Sequence, residues 1–137
     1  MVYITRRERF NAAHRLFRPE WSDEKNFEEF GHCANPNWHG HNYSLYITVK
    51  GEIDPQKGYL INLKDLSTLI RTLITDKLDH RNLNLDVDFL MGKMTSAEIV
   101  AIEIWKQLES PLNEAGCQMH CVKLVETENN YVEYFGN

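Results

Sequence analysis

His14 and the run Cys33-Ala-Asn-Pro-Asn-Trp-His39-Gly-His41 place three imidazoles and a thiol where an extended backbone could gather them. His39 and His41 are two residues apart, so on a strand both rings point to one face. His14 would add a third nitrogen, giving a three-imidazole zinc site whose fourth position stays open to substrate or water. Imidazole is a borderline-soft donor, so zinc is preferred to magnesium, which seeks oxygen. Cys33 then becomes a candidate base or nucleophile, because a metal or imidazolium nearby favours the thiolate. The ordinary alternatives stand beside these readings. Strand histidines are more often surface or hydrogen-bonded residues, and a free cysteine is more often a small buried hydrophobe. The neighbours Gly31, His32, Asn35 and Pro36 describe a loop, which weighs against Cys33 as core filling. Cys117, His120 and Cys121 do not make a second metal set, since their spacing and strand position favour core and loop roles.

Three further positions carry possible chemistry. Asp79-His80 falls at the exit of a helix, where it either caps the helix or pairs a carboxylate with an imidazole that exchanges protons with a thiolate. Glu126 continues the apolar face of Val122 and Leu124. A carboxylate there is costly unless paired or used, and it could accept from both donors of an amino-pyrimidinone edge. Glu98 reads as the N3 position of a capping box, Thr95-Ser96-Ala97-Glu98, with Thr95 as the cap.

The elements that must position these groups follow from periodicity. Val2 to Ala13 reads as a strand with a charged middle. Residues 38–53 alternate His39/His41/Tyr43/Leu45/Ile47/Val49 against Gly40/Asn42/Ser44/Tyr46/Thr48/Lys50, the clearest strand in the chain. Leu63, Leu66, Leu69, Ile70, Leu73 and Ile74 give helical spacing over 62–77. A second helix follows Thr95, with Ile99, Ile102, Trp105 and Leu108 as its buried stripe and an end near Pro111. His120 to Thr127 and Tyr131 to Phe135 read as a closing hairpin. The stretch from Phe17 to Asn37 lacks a period and reads as a long, partly helical loop, a common home for function. These elements predict one α+β domain over 1–137: a four-stranded antiparallel sheet with two helices on one face. Such a sheet has two open edges, and edge-to-edge association would close it into a larger β-barrel with sites between subunits.

The formal charge of -5 argues against a general nucleic-acid or anionic-membrane surface, though not against an anionic small molecule in a local pocket. Three irregularly spaced cysteines are a poor disulfide framework and suit a reducing compartment. The opening residues lack a signal-peptide core and no run approaches a membrane span, so a cytoplasmic protein is expected.

Phe10-Asn-Ala-Ala-His14, Cys33 through Tyr43, Gly51-Glu-Ile-Asp-Pro55, Leu78-Asp-His-Arg-Asn-Leu83 and Glu126-Thr-Glu-Asn-Asn130 together resemble the 6-pyruvoyl tetrahydropterin synthase family across nearly the whole chain. The resemblance implies the tunnelling fold, with trimers forming a twelve-stranded barrel and a hexamer built as a dimer of trimers. It implies catalytic zinc on His14, His39 and His41, with Cys33 as the proton-abstracting thiol and Asp79 and His80 as its relay. It also implies that Glu126 anchors the pterin ring, with Ser96 and Glu98 in the same pocket. The substrate so implied is a pterin triphosphate, 7,8-dihydroneopterin triphosphate, converted to 6-pyruvoyl-tetrahydropterin. Arg15, Lys25 and Arg81 are candidate partners of the triphosphate. Two positions depart from the animal pattern: Ala97 replaces a threonine, and Trp38 replaces a small residue before His-Gly-His. A related branch makes 6-carboxy-5,6,7,8-tetrahydropterin on the route to queuosine and typically has three residues between the cysteine and the first of those histidines. Here there are five, Ala34 to Trp38, which favours the pyruvoyl product.

Overall fold

The computed structural model describes residues 1–137. Strand β1 (Val2–His14) lies antiparallel to β2 (His39–Gly51) in unbroken register from Val2↔Gly51 to His14↔His39. Both strands obey the predicted alternation. Phe10, Ala12, Tyr43, Leu45, Ile47 and Val49 are buried on the inner face, while Thr5, Arg7 and Arg9 point outward. The charged middle of β1 is accommodated by a buried knot. Glu8 accepts from Ser67 Oγ at 2.9 Å, Arg71 Nε at 3.1 Å and Arg6 Nε at 2.9 Å. Burial alone would raise the Glu8 carboxyl pKa, but these three donors more than offset it and keep the group ionised. The knot fixes α2 (Leu63–Ile70) against β1.

Strand β4 (Gln118–Thr127) pairs with β2, and β5 (Asn130–Tyr134) pairs with β4. The sheet differs from the prediction by one strand. The short β3 (Arg81–Asn82) runs parallel to Ala12–Ala13, giving a five-stranded mixed sheet in the order β3-β1-β2-β4-β5. Two residues carry no readable alternation. The pairing is set instead by His80 N–H donating to Asn11 O at 2.6 Å, Leu83 N–H donating to Ala13 O at 2.8 Å, and the complete burial of Leu83.

The helices cover one face, as expected, but differ in detail. Asn62 caps α2, which passes through a π turn at Arg71–Thr75 into α3 (Asp76–Leu78). The extra residue of a π turn rephases the helix while Ile70, Ile74 and Leu78 all stay buried. Helix α4 (Ala97–Glu114) is capped by Ser96, not Thr95, so no capping box forms. Thr95 is fully buried and its hydroxyl donates to Asn84 Oδ1 at 2.9 Å, which takes it out of the capping position. The buried stripe runs Val100, Ile104, Leu108, Leu112, flanked by Ala101 and Trp105, leaving Ile99 and Ile102 at its margin. The helix continues through Pro111 because the fully buried Leu112 holds its last turn on the core. Truncating Leu108 to Ala would remove roughly 2–5 kcal/mol from this layer.

In the long loop, α1 (Asp23–Phe30) starts at the Ser22 cap. Buried Asn26 staples the loop by accepting from Arg18 N–H at 2.8 Å and donating to Arg18 O at 3.0 Å. Strand β5 and the N-terminal part of β1 are the sheet's free edges. No helix is long and apolar enough to cross a membrane.

Candidate active site

The end of β1 and the start of β2 bring the three histidines together. His14 and His39 are cross-strand partners, and His41 follows on the same face opposite Ala12. Ring centroids lie 4.5 Å apart for His14 and His39, 5.1 Å for His14 and His41, and 4.9 Å for His39 and His41. Gly40 between them permits close approach of the strands, since a Cβ there would meet the Ala12 carbonyl oxygen at 3.2 Å. The residue before the pair, Trp38, has a φ of 68°, a left-handed conformation rarely held by a bulky side chain outside functional regions.

One ligand atom from each ring lies within 4.8 Å of the others. His14 Nδ1 sits 2.8 Å from the carbonyl of Thr95, which can only accept, so Nδ1 carries the proton and Nε2 presents its lone pair. His14 Nε2, His39 Nδ1 and His41 Nε2 are all buried without any partner. Orphaned polar atoms are costly in a core, and three of them converging make a site for a cation. Burial, aided by the neighbouring imidazoles and opposed by the Thr95 hydrogen bond, lowers the His14 pKa to about 4. Burial first, then His41, also lowers that of His39. The His14 and His39 rings are therefore neutral lone-pair donors at physiological pH. Three imidazole nitrogens with an open fourth position fit zinc.

Glu126 stands at the rim of this cluster, its carboxylate oxygens 3.8 Å from His41 Nε2 and 4.0 Å from His14 Nε2. It also lines a cleft of about 340 Å³ with Leu16, Ser96, Glu98, Asn130 and Tyr131. The three residues expected to hold a pterin, Glu126, Ser96 and Glu98, thus share one cavity. Because Ser96 is the helix cap, Glu98 is free of the backbone role expected for it and faces the cleft.

Cys33 lies in a 3-10 turn, Gly31–Ala34, laced to the segment that follows His14. Leu16 N–H donates to the Cys33 carbonyl at 2.8 Å, and Arg15 Nε donates to the Ala34 carbonyl at 2.9 Å. Asn84 completes the knot: its side chain donates to the Arg15 carbonyl at 2.9 Å and accepts from Arg15 N–H at 3.0 Å and Thr95 Oγ. One network therefore fixes a histidine tautomer, the thiol loop and the first turn of α4. Sequence reasoning missed Thr95 and Asn84 in this role, and it assigned Arg15 elsewhere. Of the three expected triphosphate partners, Arg15 is occupied by Ala34 and stacks on Phe17 at 4.0 Å, and Lys25 lies over Trp21 at 4.1 Å. Arg81 borders a separate cleft with Asp76 and Asp86. None of them lines the Glu126 cleft.

Asp79 and His80 form a pair, with His80 Nδ1 2.9 Å from Asp79 Oδ2. The Asn11 backbone N–H, donating at 2.8 Å, holds the Asp79 carboxyl below its ordinary range, helped by His80. His80 is exposed and left-handed, with φ 60°. Within the chain neither residue hydrogen-bonds or ion-pairs with Cys33. The pair borders the sheet edge beside Asn11, whereas the thiol loop is tied to Leu16, five extended residues or ~16 Å further along.

A helix-backed mixed sheet thus carries three histidines that fit zinc beside a carboxylate-walled cleft, a site built for metal-assisted chemistry on a small molecule. The comparisons agree. The family model described as 6-pyruvoyl tetrahydropterin synthase matches residues 3–137, and the chain belongs to that family. It is 44% identical over 133 residues to the human protein named 6-pyruvoyl tetrahydrobiopterin synthase, covering 97% of this chain and 90% of that one. Against the protein of the same name from Drosophila melanogaster it is 40% identical over 136 residues, 99% of this chain and 80% of that one. The solved structure of Caenorhabditis elegans 6-pyruvoyl tetrahydropterin synthase matches with a TM-score of 0.91 at 38% identity, covering 99% of this chain and 96% of that chain.

Proposed function

We propose that this chain converts 7,8-dihydroneopterin triphosphate to 6-pyruvoyl-tetrahydropterin, with zinc bound at His14, His39 and His41. The observation that carries the reading is the convergence of three orphaned imidazole nitrogens at the rim of the cleft that holds Glu126. Zinc supplies Lewis acidity toward the substrate's side-chain hydroxyls. Glu126 accepts from the amino group and a ring N–H of the pterin, while Ser96 and Glu98 complete the wall. Cys33 removes a side-chain proton, and return of a proton to the ring reduces it internally as the side chain is oxidised. Triphosphate leaves by elimination, so no external reductant enters the balance.

Asp79 and His80 serve as the proton relay from a neighbouring subunit. Two features support this reading: the pair is exposed beside the β1 edge, and the Glu126 cleft opens along β5, the other free edge. Pairing those edges would form a closed trimeric barrel, stacked in twos as a hexamer. The unit is one domain over 1–137, and its three free thiols suit the cytoplasm. Mass analysis of the product from pure zinc-loaded protein and dihydroneopterin triphosphate tests the reaction. Retention of all three side-chain carbons is expected, and loss of two would assign the carboxy product instead.

A further inference from the structure

The Glu126 cleft contains a single aromatic ring, that of Tyr131. Plain strand alternation would not put it there. Tyr131 is the cross-strand partner of Val125, so on a regular ladder it would share Val125's face, away from that of Glu126. The ladder is not regular at this point. Thr127 pairs with Asn130, which leaves Glu126 as an extra residue between the two pairs, and such a bulge re-aims side chains beside functional sites. Carboxylate and ring therefore wall one cavity. That cavity carries Glu98 and Glu126 but no Lys or Arg. A polyphosphate is repelled by such walls, so the part of the substrate it suits is the flat, uncharged bicycle. Glu126 can hold that bicycle by an edge, which leaves its faces to the apolar side chains Leu16, Ala97, Val132 and Tyr131. Of these only Tyr131 offers a π face. It is 56% exposed, and Lys123 Nζ lies over its ring, 4.0 Å from the centroid. A lone exposed tyrosine would mean little. A ring held on one face by an ammonium, and set in the wall of this cleft, is a stacking platform with a second face to offer.

We propose that Tyr131 stacks on the pterin ring, its phenol face against the bicycle whose edge Glu126 holds. The proposal rests on this cleft being the pterin's. Closing the barrel through β5 would not consume the ring, because edge pairing uses backbone groups and strand side chains stand perpendicular to the sheet. Stacking covers the ring equally before and during reaction, so its loss should raise KM and leave kcat nearly unchanged.

Substitutions of Tyr131 separate a stacking ring from mere bulk. In zinc-loaded protein, Tyr131→Ala and Tyr131→Leu should each bind 7,8-dihydroneopterin about tenfold more weakly in calorimetric titration, the loss typical of removing an aromatic platform from beneath a heterocycle. Tyr131→Phe keeps the ring and should bind like the wild type. All of these variants should retain wild-type zinc content and oligomer size. Wild-type affinity in Tyr131→Ala overturns the proposal. So does Tyr131→Leu binding as well as Tyr131→Phe, which would make the contact simple packing. Should Tyr131→Ala fail to assemble, the Leu and Phe variants decide the same question. A wild-type protein that binds dihydroneopterin but makes no tetrahydropterin would overturn the assigned reaction, while the binding comparison would still decide on Tyr131. One that binds no dihydroneopterin overturns both.

Discussion

The histidine end of β1 and the Asp79–His80 corner flank the same strand but are built in opposite ways. At the first, three buried ring nitrogens converge without partners, and the tautomer of His14 is fixed by a carbonyl that Asn84 and Thr95 hold in place. At the second, the imidazole is exposed, the carboxylate is held by one backbone N–H, and no thiol or metal ligand is in contact. The metal end is complete within one chain. The exposed corner has no such enclosure within the chain, and in the proposed function a neighbouring subunit's thiol loop would complete it.

Substitutions can break this contrast, beginning with the largest effect. His39→Ala should abolish zinc binding and with it all turnover, whereas His80→Ala should keep zinc at the wild-type level; metal analysis after dialysis separates the two. Cys33→Ala should retain zinc and lose roughly 10²–10⁴-fold in turnover. Neither Cys33→Ala nor His80→Ala should be active alone, but oligomers refolded from a mixture should regain turnover, since some sites then combine an intact thiol with an intact relay. Mixtures as inactive as their parents would place both groups in one chain's site.

Acid stability probes the buried end alone. Unfolded His14 protonates near its ordinary pKa of 6.5, while the buried ring does so only near about 4. Between those values the unfolded chain binds the extra proton, so stability falls as pH falls. The zinc-free protein should lose on the order of 3 kcal/mol across this window, read from urea midpoints, and His14→Gln should remove that component. The smallest effect belongs to the supporting network: Asn84→Ala should weaken zinc affinity about 10–100-fold by loosening Thr95, measured by chelator competition.

Much of this was legible because strands write their faces into sequence. The alternation from His39 to Val49 predicted both the buried face and the side on which the rings meet, and Glu126 stood out as a carboxylate continuing an apolar stripe. What escaped was decided by tertiary contacts. Thr95 and Ser96 are equal candidates for a helix cap until Asn84 draws one of them inward. A two-residue strand has no period to read, and neither has the bulge that sets Glu126 and Tyr131 in one cleft. Arg15 resembled a free phosphate ligand because nothing local reveals that the Ala34 carbonyl lies within its reach.

One chain's histidines form a zinc site beside the Glu126 cleft, and anomalous diffraction at the zinc edge from zinc-replete crystals tests this directly. A single strong peak is expected about 2.0–2.1 Å from His14 Nε2 and from one nitrogen each of His39 and His41. Full zinc loading with the peak elsewhere, or no peak between those rings, would contradict it.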